Sequence, residues 1–225
     1  MPNLGIFGGT FDPIHQGHLQ IAETALTLAR LDQILWIPSL NPPHKSVPLA
    51  SFDQRLTMVE RAIAPYPAFV ASDLEGQMGG ISYAIDTFQR LQALYQEACW
   101  YWIVGLDAFQ SLPRWRGSQT LSHHCTWLVA PRASAIPQST NDDLARLEVQ
   151  PFEEIFSKNF QAMTTLCDRV AQQMPGGVQW QLLPTPSIAI SSSLVRHRCR
   201  QGCPIDDLVP ASVGLYIKNK NLYSK

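Results

Sequence analysis

His15 and His18 stand three residues apart around Gln16-Gly17, directly after Gly8-Gly9-Thr10-Phe11-Asp12-Pro13. Two imidazoles at that spacing beside a helix start can both face one turn and donate hydrogen bonds to phosphate oxygens. Gly8 and Gly9 let the backbone come close to a ligand. A helix that follows adds unpaired N–H groups and the positive end of its dipole, which together favour an anion. The commoner phosphate signatures are missing. No Gly-Lys pair occurs, so GxxxxGK[ST] is absent, and Gly5 and Gly8-Gly9 have the wrong spacing for GxGxxG. Metal ligation by the two histidines with Asp12 would need further N or S ligands at defined spacing, and none is nearby in sequence.

The elements around this stretch alternate. Asn3–Phe7 reads as a short strand. From Gly17 onward, Leu19, Ala22, Ala25, Leu26 and Ala29 recur at helical steps. Gln33–Ile37 is a second strand, stopped by Pro38. A strand, helix and strand in about 35 residues mark a parallel pair with a right-handed crossover. Helices are expected over Phe52–Ala64 and Tyr83–Ala98, and strands over Ala68–Ser72, Trp100–Val104, Thr126–Ala130 and Val178–Leu183. Ile205–Tyr216 closes the chain with one or two helices. The expected fold is α/β: a Rossmann-like doubly wound parallel sheet with helices on both faces and a C-terminal helical part, in one domain spanning 1–225. Arg132–Gly177 departs from the rhythm. It begins polar and then turns helical over Pro151–Met174, and it reads as an elaboration of the sheet.

Composition narrows the class. The 225 residues carry a net charge of −1, with 45% apolar and 16% charged residues, so the chain is globular and has no global basic field. Binding to a nucleic acid polymer is not expected. No signal peptide and no run of about 18 apolar residues is visible, so no membrane role is expected. The five cysteines are odd in number, scattered, and form no CxxC, which suits reduced thiols and a cytoplasmic location. A homo-oligomer is left open. Arg196, His197, Arg198 and Arg200 form a basic run, and His197, Cys199 and Cys203 lack the fourth ligand and CxxC of a zinc site.

The stretch GGTFDPIHQGH resembles the signature of the HxGH nucleotidyltransferases. Their second signature, an ISST-type turn followed by arginine, has its counterpart in Ile190-Ser191-Ser192-Ser193-Leu194-Val195-Arg196. Pro42-Pro43-His44-Lys45 resembles the PPHK loop of the bacterial nicotinate-nucleotide adenylyltransferases. Ser82-Tyr83-Ala84-Ile85-Asp86-Thr87 is similar to their SYTxDT helix start, and Gly105-Leu106-Asp107 with Trp115 to their GxD and tryptophan segment. Val209-Pro210, Val213, Tyr216-Ile217 and Leu222-Tyr223 match their closing helix and tail. The likeness covers Gly5–Arg132 and Pro184–Tyr223. Ser193 stands where the family usually has threonine and keeps the hydroxyl, whereas Ala84 replaces a threonine near the pyridine site and loses it. The Arg132–Gly177 stretch is longer than the family norm.

The resemblance implies transfer of AMP from ATP to nicotinate mononucleotide, giving deamido-NAD and pyrophosphate. It implies catalytic roles for His15 and His18. It implies phosphate binding by Gly9, Thr10, Phe11, Lys45, Ser192, Ser193 and Arg196, contacts to adenosine or ribose from Gly105 and Asp107, and a pyridine-nucleotide site at Gly8, Ser82, Tyr83, Ala84 and Trp115. Asp107 reads equally as a helix cap, and Trp115 as a core side chain. Mg²⁺ would arrive on the ATP phosphates, with no metal site built by the protein. Sister activities on the same fold are the alternatives: nicotinamide mononucleotide, phosphopantetheine or another small phosphate as acceptor. Phosphopantetheine enzymes usually carry threonine where His15 stands. A noncatalytic nucleotide-binding regulator is the rival from another class.

Overall fold

The computed structural model describes residues 1–43, 47–131, 152–185 and 190–224, the side chains of 152–159 excepted. Its centre is β1 (Asn3–Gly9), flanked by β2 (Gln33–Pro38) and β4 (Cys99–Gly105). Beyond them lie β3 (Phe69–Ala71), β5 (Cys125–Ala130) and β6 (Trp180–Leu182). The six strands run parallel in the order β3-β2-β1-β4-β5-β6. Strands buried on both faces should read as continuous apolar runs, and Ile34-Leu35-Trp36-Ile37 and Leu128-Val129-Ala130 do so.

Side-chain alternation along β1 sorts the core into two layers. Phe7 joins one cluster with Ile14, Leu19, Trp36, Val59 and Tyr216. That layer is covered by α1 (Gln16–Leu28), α2 (Phe52–Ile63), α8 (Ser192–Arg200) and α9 (Ala211–Asn219). Leu4 and Ile6 join the other cluster, with Phe88, Trp102, Trp127 and Cys167. Here the cover is α4 (Ala84–Leu94), α5 (Leu106–Ser111), α6 (Ser118–His124) and α7 (Phe152–Gln173). The short α3 (Leu74–Met78) follows β3 and places Leu74 in this second layer.

The expected alternation of strands and helices is present, with differences that have local causes. The helix expected over Tyr83–Ala98 ends at Leu94, whose side chain is exposed. Tyr95 leaves the helix and packs edge-on against Trp100, 6.1 Å between centroids, as the chain turns into β4. The closing helix begins at Ala211 instead of Ile205, and residues 205–210 form turns that deliver Leu208 and Val209 to the core. Along α2 the buried row is Arg55, Met58, Val59, Ala62 and Ile63, and Leu56 is only half-buried. The helices α3, α5 and α6 are too short for a periodic apolar signal. Of the expected elaboration, residues 132–151 lie outside those described. The helix expected over Pro151–Met174 is α7, which packs against α5 and β6 and, with Met174 just beyond it, buries Met163, Cys167 and Val170 in the second layer.

Phe88 anchors α4 to the second layer, with its ring edge-on to Trp100 at 5.7 Å and fully buried. Phe88→Ala should cost about 3–5 kcal/mol of unfolding free energy in chemical denaturation.

Candidate active site

In the order β3-β2-β1-β4-β5-β6 the connections turn opposite ways after β1 and β4, which opens a crevice at their carboxyl ends. The β1–β4 register pairs Phe7 with Ile103, and carried two residues on it sets Gly9 level with Gly105. Gly8 and Gly105 are exposed, and a Cβ on either would meet nothing within 4 Å. Both glycines therefore leave bare backbone at the rim of the crevice.

The chain leaving β1 is held in an unusual path. Phe11 has φ of 49°, in the left-handed region that side chains avoid. Its ring is buried among Phe7, Trp36 and His18, with centroids 5.6, 5.5 and 5.1 Å away. Gly9 makes room for it, since a Cβ there would sit 3.0 Å from Phe11 Cζ. The next carboxylate, Asp12, is buried and accepts the amides of Leu49 at 2.9 Å and Ala50 at 3.1 Å and the hydroxyl of Tyr223 at 2.7 Å. The fully buried Arg55 guanidinium donates to the carbonyls of Thr10 at 2.7 Å and Ala50 at 3.3 Å. Burial lowers its pKa, opposed by the charges of Asp12 and, less strongly, Glu75.

His15 is the N-cap of α1, in extended conformation. Its imidazole stacks on that of His18, with centroids 3.7 Å apart and planes at 23°. The backbone N–H of His15 donates to His18 Nδ1 at 3.2 Å, which leaves the proton of a neutral His18 on Nε2. Burial pushes the His15 pKa down to about 4, so its ring is neutral near pH 7. Among the described residues, His15 Nδ1 is buried without a hydrogen-bond partner. Gly17 explains the glycine in the motif: a Cβ there would lie 3.1 Å from His15 Nδ1 and 3.2 Å from Cε1. The first turn of α1 holds no acidic residue to offset the dipole.

The second signature is joined to the first. Ser191 caps α8 by accepting the amide of Leu194 at 3.2 Å. Ser192 Oγ donates to the carbonyl of Pro13 at 2.8 Å. Arg196 donates to the carbonyl of Asp12 at 2.6 Å and to Ser193 Oγ at 3.1 Å, while its buried Nε has no partner among the described residues. Two helix N-termini, two imidazoles and a guanidinium thus meet at one turn. An anion bound there would meet donors that are already oriented.

Of the residues expected to hold a pyridine nucleotide, Tyr83, Ala84 and Trp115 pack against the same core layer. Ser82 Oγ accepts the amide of Asn41 at 2.9 Å, and the Ser82 amide donates to the Asn41 carbonyl at 3.0 Å, which ties the start of α4 to the loop after β2. Tyr83 lies under the Arg116 guanidinium at 4.9 Å, beside half-buried Ala84. Trp115 is half-buried, its Nε1 donates to Ser111 Oγ at 2.9 Å, and it meets Trp127 edge-on at 5.8 Å. The core side of its indole is thus occupied. Asp107 is exposed in the first turn of α5, at the end of β4. Lys45 lies outside the described residues.

Sequence reasoning missed Arg55, Glu75, Thr87 and Tyr223. Buried Glu75 accepts the amide of Leu40 and the hydroxyl of Thr87, both at 3.0 Å, and so steadies the loop after β2. An arginine on the apolar row of α2 was the available signal for Arg55. Among the described residues no three His, Cys, Asp or Glu side chains gather into a cation site. An open depression of about 880 Å³ lies at the opposite end of the sheet, lined by His124, Cys125 and Gly176 among others. It contains none of the residues above.

A doubly wound sheet with these groups at its switch point defines an enzyme of the nucleotidyl-transfer class. Residues 6–198 match the cytidylyltransferase-like family. A probable nicotinate-nucleotide adenylyltransferase of Trichormus variabilis is 42% identical over 228 residues, covering 100% of this chain and 99% of the relative. A second, from Pelobacter propionicus, is 38% identical and covers 99% of this chain and 98% of its own. The chain belongs to the nicotinate-nucleotide adenylyltransferase family. The solved Plasmodium falciparum nicotinic acid mononucleotide adenylyltransferase complexed with NaAD aligns with a TM-score of 0.69 at 19% identity, over 99% of this chain and 98% of that one. That likeness carries the fold.

Because His15 is held neutral, the unfolded chain binds an extra proton between about pH 6.5 and pH 4. Its contribution to stability is complete above pH 6.5 and is lost as pH falls toward 4, to the order of 3 kcal/mol. Denaturation midpoints measured across that window should fall more steeply for the native chain than for His15→Gln.

Proposed function

We propose that this enzyme transfers AMP from ATP to nicotinate mononucleotide, releasing pyrophosphate and forming deamido-NAD. The observation that carries the reading is the junction of the His15–His18 turn with the Ser192–Arg196 helix start, at the open ends of β1 and β4. A 5′-phosphate oxygen of the mononucleotide attacks the α-phosphorus of ATP in line. The new P–O bond forms as the bond to the bridging oxygen breaks, and pyrophosphate leaves with that electron pair. No covalent enzyme intermediate is needed, so the protein's work is positioning and charge stabilisation.

The residues divide that work. His15 and His18 steady the phosphates around the α-phosphorus, with His18 Nε2–H as donor. Backbone groups at Gly9, Thr10 and Phe11 line the phosphate path. The N-terminus of α8, with Ser192, Ser193 and Arg196, receives the β- and γ-phosphates, and Lys45 adds positive charge. Gly105 and Asp107 receive the ribose or adenine side. Gly8, Ser82, Tyr83, Ala84 and the outer face of Trp115 receive the pyridine nucleotide. Mg²⁺ would be held by the ATP phosphates and water, where it would supply neutralisation of part of their charge. The nearest buried carboxylate, Asp12, already has its oxygens engaged by Leu49, Ala50 and Tyr223, which supports a cation held by phosphates and water.

No helix of the described residues is long and apolar enough to cross a membrane. We place the enzyme in the cytoplasm, acting on free nucleotides and not on a polymer or a membrane. Ala84, which lacks the hydroxyl common at its position in the family, favours a second reading in which nicotinamide mononucleotide is also accepted.

Pyrophosphate release with ATP and Mg²⁺, compared among nicotinate mononucleotide, nicotinamide mononucleotide and phosphopantetheine, tests the assignment. Nicotinate mononucleotide should be preferred, and equal use of the nicotinamide form would move the selectivity to Ala84. His18→Ala should lower turnover by about 10²–10³, or about 3 kcal/mol, with the fold intact by circular dichroism. Near-native turnover in that variant would remove His18 from the mechanism.

A further inference from the structure

Tyr223 is the third residue from the end of the chain, yet its side chain is buried. It has φ of 64° and follows Asn221 at 51°, so the tail turns twice through the left-handed region. Such a path persists only where surrounding contacts outweigh its strain. What the turns achieve is visible at the ring's far end, where the Tyr223 hydroxyl donates to Asp12 Oδ1 at 2.7 Å. The same oxygen accepts the Ala50 amide, and Oδ2 accepts the Leu49 amide. The carbonyl of Asp12 is taken by Arg196. One residue of the phosphate turn is therefore gripped from the segment before α2, from α8 and from the C-terminal tail at once.

We propose that Tyr223 is a positioning residue for adenylyl transfer, acting through Asp12 to hold the turn that carries His15 and His18 against Arg196. The inference rests on the function proposed above. The phenol touches no reacting atom. It completes the donor set of a buried carboxylate whose backbone carbonyl sets Arg196. Without it, Asp12 Oδ1 keeps the Ala50 amide alone, and the turn loses its link to the tail. Burial and the Asp12 charge push the phenol's pKa far up, so it remains a donor throughout the working pH range.

Tyr223→Phe keeps the ring and removes only the hydroxyl, and the wild-type reaction with nicotinate mononucleotide is measured first. We expect kcat to fall about tenfold, with KM for both substrates within about twofold of wild type. In an Asp12→Ala background the same substitution should have no further effect on kcat, because the acceptor of the hydroxyl is gone. Wild-type kcat in Tyr223→Phe would overturn the proposal, as would losses from the two substitutions that multiply. Amide hydrogen exchange of Tyr223→Phe gives a readout independent of turnover and of how well Asp12→Ala folds. Exchange at Leu49, Ala50 and His18 should rise about tenfold while Trp127 and Leu128 in β5 stay unchanged. A uniform rise across the chain, or none, would overturn it. Should the wild type fail to use nicotinate mononucleotide, the acceptor assignment fails, and the exchange result alone judges Tyr223.

Discussion

A buried carboxylate must be matched by donors, and the desolvation of Asp12 is the constraint on which this site is built. Its neighbours in sequence do not supply those donors. They come from Leu49 and Ala50 at the approach to α2 and from Tyr223 in the tail. Meeting that demand forces two distant segments to converge on the turn after β1. Arg55 does the converse from inside α2, placing a buried cation against the carbonyl of Thr10. Between them the path Thr10–Pro13 is fixed before any substrate arrives. The left-handed backbone of Phe11 is tolerated because the rings around it leave no better arrangement.

The electrostatics of the turn follow from what is absent as much as from what is present. Neither α1 nor α8 places an acid in its first turn, so both dipole ends stay uncompensated. His15 is kept neutral by burial, and the tautomer of His18 is set by a backbone amide. Among the described residues, His15 Nδ1 and Arg196 Nε are buried without partners. Donors that are already oriented and partly desolvated suit a reaction that builds negative charge on phosphate. The stability given up in holding them returns as reorganisation that need not happen during catalysis.

The far side of the crevice rests on a different principle, aromatic packing. Trp102 and Trp127 stack at 5.7 Å, and Trp115 meets both edge-on. With its Nε1 held by Ser111, Trp115 has little rotational freedom. The two readings of this side chain, core residue and nucleotide platform, are compatible because one face of an indole can be packed while the other remains at the rim. Tyr83 and Arg116 extend the same surface.

Local patterning carried much of this. Apolar runs and helical spacing were enough for the parallel sheet, because strands buried on both faces must be apolar and each crossover helix must bury one stripe. The glycines and histidines of Gly8–His18 could be read as candidate anion-handling groups from their types and spacing, whereas the serines before Arg196 drew notice only through the family resemblance. Short helices such as α5 and α6 were not legible, since six or seven residues hold too few turns to show a period. The partners of Asp12 were invisible for a deeper reason. A carboxylate in a sequence carries no mark of which amide or hydroxyl will satisfy it, and Tyr223 lies 211 residues away. The sequence by itself determined which groups could do the chemistry. Only the tertiary structure decided which of them are buried, which proton sits on which nitrogen, and what holds the turn in place, because those depend on desolvation and on donors that chain folding alone brings within reach.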